Sequence, residues 1–305
     1  MGGILRQMAG IPARAAAVAG VTLVQLLRMR IFLVVAALAL LMLGLQFLPY
    51  QEAVSVEYQG IDQLQLLKST GLGCMQLFGL VFSVAATSLL IPRDSEDRIL
   101  YTILCKPVPR FDYLLGKLAG VLLLLFLVFA LMDGLLCLLI HLREAAFCER
   151  ISAALTERGA DPAQISDILA RVHEAAGYGA LHQGIIAMAL GTAVLTSLTL
   201  LFSCFTSGTI VSMIFAFGAY FIGSFQQQLF SLLHDGGTGT GPLLRLALNA
   251  LVVLLPDFSI FSLGDAAATG NAAGAAMLGQ LALMACGYML LHLFVATWIF
   301  NRKEF

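Results

Sequence analysis

The chain has 305 residues, of which 60% are hydrophobic and only 11% are charged, whereas a soluble domain has about 25% charged residues. This composition excludes an ordinary soluble domain and predicts an all-α integral membrane protein embedded in the lipid bilayer. The formal net charge of −1 carries little information, because the distribution of charge matters more than its sum in such a protein. We expect no nucleic-acid partner.

Six apolar runs are long enough to span a bilayer, which takes about twenty mostly apolar residues. The predicted spans are 31–48, 72–92, 117–140, 184–205, 208–233 and 275–300. Before them, residues 11–30 predict an interfacial helix that opens at Pro12, although a partly disordered tail is the alternative. The shorter run 243–255 suits a re-entrant or interfacial segment. Together these elements form one transmembrane domain over residues 1–305.

The positive residues predict the orientation. Of the 17 Lys and Arg residues, eleven lie in the N-terminal arm, in residues 93–117 or in the C-terminal tail. Positive residues accumulate on the cytoplasmic side of a membrane. Six spans with this distribution therefore place both termini and residues 93–117 in the cytoplasm. The first apolar run begins near Ile31, which is too late for a cleaved signal peptide.

Residues 93–117 form a charged segment between two apolar runs. Its nine charged residues are Arg93, Asp94, Glu96, Asp97, Arg98, Lys106, Arg110, Asp112 and Lys117. Because charges this dense are costly in hydrocarbon, we predict that the segment projects from the bilayer. The apolar residues Leu100, Ile103 and Leu104, followed by Pro107, predict a short amphipathic helix and a kink that dock on a soluble partner. The alternative is a solvated loop that only sets the topology.

Asp133 is the only carboxylate well inside a predicted span, which makes it a candidate for a translocation path. The alternative is a residue that reaches the headgroups or a water-filled cavity.

The loop 141–183, predicted on the outer side, has helical signals. Asp161 and Pro162 form a helix start, apolar residues recur with helical spacing from Ile165, and Gly177 can end the helix. With an upstream helix that stops near Gly159, this predicts an outer helical hairpin over 141–183. Its apolar stripe would lie on the membrane or on a second copy of the chain. We interpret the hairpin as a structural cap, with a lid as the alternative.

No catalytic set is recognisable. Gly116-Lys117 resembles the end of a phosphate loop, but Phe111 and Leu118 stand where that loop needs Gly and Ser or Thr. The cysteines and histidines lack metal-ligand spacing. We interpret His173 and His182, which border the hairpin, as ordinary interfacial residues, with a metal site formed by the fold as the alternative. The sequence therefore predicts no catalytic residue, no metal site and no enzyme.

The charged segment resembles that of the membrane subunits of export-type ABC transporters, the second class. That family has a glutamate after its second span, then a threonine-led apolar stretch, a proline-valine motif ending in arginine, and a Gly-Lys that opens the third span. The matching residues here are Glu96, Thr102-Ile103-Leu104, Lys106-Pro107-Val108-Pro109-Arg110 and Gly116-Lys117. The stretch 254–263 and the C-terminal FNRKEF are also similar. Within the family, the chain resembles permeases with a separate ATPase subunit, such as the nitrous-oxide-reductase maturation type.

The resemblance implies a multi-pass permease of the bacterial cytoplasmic (inner) membrane, which exports a substrate as a dimer with a second copy or a related permease. The partner would be an ABC ATPase subunit, which binds the ATP and Mg²⁺, so this chain needs no cofactor of its own. An extracytoplasmic accessory protein is compatible with this plan. The implied ATPase-coupling residues are Glu96, Asp97, Arg98, Leu100, Thr102, Ile103, Leu104, Lys106, Pro107, Arg110 and Lys117. Gly116 and Gly120, or alternatively Gly270 and Gly274, have the small-xxx-small spacing that suits a dimer seam.

The alternative function is an ion- or proton-coupled secondary transporter or channel that uses Asp133. Such proteins usually have repeats, broken helices or several intramembrane charges, and this sequence has one intramembrane carboxylate.

Overall fold

The structure is a computed structural model of the chain. It describes residues 2–29, 56–96, 109–206, 208–228, 255–271 and 274–302, with the isolated positions 37 and 44. Within 2–11, 56–62 and 95–96 it describes the backbone alone.

The described residues are mostly helical. The helices are α1 Gly2–Leu27, α2 Val56–Glu96, α3 Arg110–Glu157, α4 Pro162–Ala176, α5 Tyr178–Phe205, α6 Thr209–Ser224, a 3₁₀ turn Ser259–Phe261, α7 Gly264–Ala268 and α8 Ala275–Arg302. No strand occurs in these ranges, in agreement with the predicted all-α class.

Four helical stretches are long and apolar enough to cross a membrane. They are Gln63–Asp94, Arg110–Glu157, Pro162–Phe205 and Ala275–Arg302, and they contain the predicted spans 72–92, 117–140, 184–205 and 275–300. The predicted span 31–48 lies outside the described residues apart from two isolated positions, and so does nearly all of 243–255. The predicted span 208–233 contains α6, whose 16 residues are fewer than the about twenty that a span needs. The count of six spans therefore stays a prediction.

The first helix differs from its predicted start. It begins at Gly2, and Pro12 lies in its interior rather than at its first position. Ala15, Thr22 and Leu26 of α1 are buried. The helix is therefore packed against the protein along one side, which an isolated tail would not be.

Two glycines of α3 allow α1 to approach closely. A Cβ atom at Gly116 would lie 2.6 Å from Cβ of Val18, and one at Gly120 would lie 2.7 Å from Cβ of Thr22. Gly116 lies against Val18 and Gly120 lies against Thr22, so residue numbers increase in the same direction along both helices. The helix α1 and the start of α3 therefore run parallel. The small-xxx-small surface is covered by α1 of the same chain, so the expectation that these glycines form a dimer seam is wrong.

The helix α3 continues far beyond the predicted end of its span at residue 140. Its 48 residues extend about 72 Å at 1.5 Å per residue, whereas a bilayer core is about 30 Å thick. The upstream helix of the predicted hairpin is thus the last part of α3 and not a separate element.

The second helix of the hairpin, α4, has the predicted ends. The Asp161 carboxylate accepts a hydrogen bond from the Ala163 backbone N–H, Pro162 occupies the first turn, and Gly177 has a left-handed φ of 46°. The apolar stripe of α4 was expected on the membrane or on a second copy. Val172 is instead fully buried in the same core as Ile151 of α3, because the extension of α3 gives the stripe a surface within the chain.

A prediction follows for the contact between α1 and α3. Gly120→Ala would place Cβ 2.8 Å from the Ala19 carbonyl oxygen, so α1 must shift. We expect the free energy of unfolding to fall by about 1–3 kcal/mol, the usual cost of overpacking. The measurement is the thermal unfolding midpoint of the purified chain in detergent.

Gly134→Ala is the matched control, because it lies in the same helix and nothing stands within 4 Å of its Cβ position. Alanine is the better helix former by about 1 kcal/mol, so this variant should keep or slightly raise the midpoint. Equal midpoints for the two variants would contradict the close contact.

Candidate functional site

The charged segment is described at its two ends. The first described part ends with the C-terminus of α2 at Glu96, where only the backbone is described. The second described part begins at Pro109 and Arg110. The predicted coupling residues Asp97, Arg98, Leu100, Thr102, Ile103, Leu104, Lys106 and Pro107 lie outside the described residues. The geometry of the candidate site is therefore that of the residues holding the two ends.

A buried ion pair joins these ends. The Lys117 ammonium of α3 lies 2.6 Å from the Asp94 carboxylate of α2, with side chains 4% and 1% exposed. The Tyr113 hydroxyl donates a hydrogen bond of 2.5 Å to Asp94. Gln25 of α1 serves both charges, because its amide nitrogen donates to Asp94 at 3.3 Å and its amide oxygen accepts from Lys117 at 3.1 Å. We call these four residues the buried polar cluster.

The hydrogen bonds explain how two charges can be buried here. Removing an ion pair from water costs several kcal/mol per ion, and the attraction of the pair offsets this only when further hydrogen bonds satisfy both groups. Asp94 accepts three contacts, and Lys117 has two partners besides the face of the Tyr113 ring at 5.7 Å. Protein groups therefore supply the hydrogen bonds that water would otherwise make to both charges.

Two further contacts surround the cluster. The Arg14 guanidinium of α1 lies 2.7 Å from the buried Asp112 carboxylate. The Arg110 guanidinium donates to the Phe300 carbonyl oxygen of α8 at 2.6 Å and lies over the ring of that residue. The start of α3 is thus bound to α1, α2 and α8.

Three charges of the charged segment are buried within the protein: Asp94, Asp112 and Lys117 are 1%, 1% and 3% exposed. Burial against other side chains does not decide on which side of the hydrocarbon they lie, so the projection of residues 93–117 from the bilayer stays a prediction. Their partners come from distant parts of the chain, above all from α1, and a single sequence does not indicate such pairings. Of the predicted coupling residues, Lys117 and Arg110 hold the segment to the bundle.

Asp133 has partners that the sequence analysis did not assign to it. The His182 ring nitrogen Nδ1, on α5, lies 2.8 and 3.0 Å from its two carboxylate oxygens. The Cys137 thiol lies one helical turn farther along α3, with Sγ 3.6 Å from Asp133 Oδ1. The i, i+4 spacing of Asp133 and Cys137 was the signal that could have suggested this group.

A second polar group ties α3 to the α4–α5 junction. The buried Glu144 carboxylate lies 2.6 Å from Nδ1 of His173 on α4 and accepts a hydrogen bond of 2.9 Å from the Tyr178 hydroxyl on α5. Both histidines that bordered the predicted hairpin are therefore paired with carboxylates of α3. This group holds α4 and the start of α5 against α3. Such an attachment is what a structural cap needs.

The carboxylates of these groups are bound to a lysine, an arginine or a histidine, and each of these contacts joins two helices. No protein-family model matches the chain, and a search of curated proteins gives no match. The resemblance to ABC permeases therefore depends on the residues quoted from the sequence.

The buried ion pair generates a prediction. Lys117→Met leaves the Asp94 carboxylate buried without its partner charge, and Asp94→Asn does the reverse to Lys117. We expect each change to lower the free energy of unfolding by about 3–5 kcal/mol, and the double variant to lose less than the sum. Thermal midpoints of the four proteins in one detergent form the double-mutant cycle.

The control is an exposed pair in α4. Asp167 and Arg171 lie 3.0 Å apart with side chains 63% and 67% exposed, so Asp167→Asn and Arg171→Met should change stability by only about 0.5 kcal/mol. If the Asp94 and Lys117 variants were as mild as these, the buried pair would have no special role in the bundle.

Proposed function

We propose that this chain is the transmembrane subunit of an ABC transporter and that it couples to a separate ATPase subunit through the charged segment. The observation that carries this proposal is the buried polar cluster. An element that receives force from a soluble partner must be firmly attached to the helices that it moves. The ends of the charged segment have such attachments to α1, α2 and α8.

In this proposal the coupling residues divide into two groups. Residues 96–107 make the contact with the ATPase: Leu100, Ile103 and Leu104 fill a groove, and Arg98 and Lys106 face acidic groups. Arg110 and Lys117 act as anchors, because they are engaged with Phe300 and Asp94. ATP-driven closure of two ATPase copies moves two charged segments together and changes the tilt of the helices. Such coupling requires that the two states differ in their contacts with the ATPase.

The remaining parts of the proposal follow from the resemblance. The working unit is a dimer of this chain, or of this chain and a related permease, in the bacterial inner membrane. Both termini are cytoplasmic, the transport direction is export, and ATP and Mg²⁺ are bound by the partner subunit. One structural observation supports the proposal that the C-terminus and the charged segment lie on the same side of the membrane. Phe300, near the end of α8, packs in one core with Ile91 and Tyr113 from the two helices that flank the segment.

The test is recovery of an active ATPase. The tagged full chain is expressed in the cells from which its sequence comes, purified from the membranes, and assayed for Mg²⁺-dependent ATP hydrolysis. We expect a second subunit in equal amount that hydrolyses ATP. Leu104→Asp should reduce its recovery at least about tenfold, equivalent to about 1.4 kcal/mol of binding free energy. The thermal midpoint of the permease chain itself should stay unchanged.

Arg171→Glu is the control, since this exposed side chain lies on α4, far from the charged segment along the chain. It should retain the ATPase at the wild-type level. A wild-type preparation without ATP hydrolysis, or equal recovery with Leu104→Asp, would overturn the proposal.

A further inference from the structure

We propose that Asp133, Cys137 and His182 form a binding site for a divalent transition-metal ion, with Zn²⁺ as the best match. Asp133 and Cys137 lie one turn apart on α3, and His182 faces them from α5. One ligand atom from each residue lies within 4.8 Å of the other two. Among the described residues, this is the one group of three or more His, Cys, Asp or Glu side chains that meets this distance.

The distances suit a tetrahedral ion. Zinc bonds of about 2.0–2.3 Å at tetrahedral angles place neighbouring ligand atoms about 3.5 Å apart. The observed separations are 2.8 Å between Asp133 Oδ2 and His182 Nδ1, and 3.6 Å between Asp133 Oδ1 and Cys137 Sγ. The third pair, Cys137 Sγ and a ring nitrogen of His182, lies within 4.8 Å. Side-chain movements of up to about 1.3 Å therefore bring the three ligand atoms to tetrahedral spacing.

The ligand types select the class of ion. A thiolate and an imidazole favour Zn²⁺ and similar borderline metals, whereas Mg²⁺ and Ca²⁺ prefer oxygen ligands alone. The Asp133 carboxylate and the Cys137 thiolate supply two negative charges, which neutralise a divalent ion. A neutral complex suits the apolar bundle, because an unpaired charge there is costly.

Binding has a defined proton balance. The ion forms a bond to Cys137 Sγ as the thiol S–H bond breaks, and the released proton goes to water. His182 Nδ1 loses the proton that it donates to Asp133 to water and binds the ion, while Nε2 takes a proton from water, so the ring stays neutral. No oxidation or reduction takes part in this step.

Other side chains of the protein do not enclose the site. The His182 side chain is 47% exposed and that of Asp133 is 23% exposed. Three protein ligands leave a fourth position for water or an incoming ligand, whereas structural zinc sites are usually closed by four. The bound ion would join α3 to α5 at a point 16 residues, or about 24 Å along α3, from Lys117.

The inference is independent of ATPase coupling, because it uses only ligand atoms within this chain. The full chain is purified in detergent through a tag without histidine or cysteine, stripped with a chelator and titrated with Co²⁺ as a spectroscopic stand-in for Zn²⁺. We expect one ion per chain and an absorption band for thiolate-to-cobalt charge transfer. Cys137→Ser should abolish the band, and Asp133→Asn should weaken binding at least about tenfold.

Cys286→Ser is the control, because Cys286 is an exposed cysteine on α8 and should leave the band intact. A measurement without variants uses a maleimide reagent: Zn²⁺ should slow labelling of Cys137 and leave labelling of Cys286 unchanged. Absence of the charge-transfer band in the wild-type chain would overturn the proposal. So would a band that survives Cys137→Ser, or labelling of Cys137 at the same rate with and without Zn²⁺.

Discussion

The buried contact between Asp94 and Lys117 links the parts of this protein that are far apart in sequence. It joins α2 to α3 on either side of the charged segment, and Gln25 adds α1 to the same cluster. A charge left alone at this depth would be costly, so α2 and α3 must pack together before either charge has its partner, and Gln25 of α1 adds a hydrogen bond to each. The pair therefore ties the start of α3 to α2, and the packing of α1 completes the hydrogen bonds of both charges.

Local signals predicted several elements well. Apolar length identified four stretches that could span a membrane, and the Asp161-Pro162 start and Gly177 end located α4. These features depend on neighbouring residues, which a sequence displays directly. The extension of α3 to Glu157 was missed because charges after residue 140 were taken to mark a loop. A helix does not need to end where it leaves hydrocarbon, since its backbone hydrogen bonds are internal.

The candidate sites were predictable only in part. Asp94, Lys117 and Asp133 stood out because charged residues are rare in this chain, but their partners did not. Gln25 is a common polar residue in a helix, and His182 lies 49 positions from Asp133. Such pairings result from tertiary packing, which neither periodicity nor spacing encodes in one sequence. The small-residue motif shows the same limit, since Gly116 and Gly120 predicted a close helix contact but not that α1 supplies the partner.

The unbroken length of α3 has a consequence for how motion can cross this protein. No proline lies between Arg110 and Glu157, so the helix has no residue of the kind that most often produces a sharp kink. The helix is about 72 Å long, so a tilt of about 10° of the whole helix about one end would displace the other end by about 12 Å. A small rotation at the charged segment would therefore move α4, which is packed on the far part of α3, by roughly the diameter of a helix.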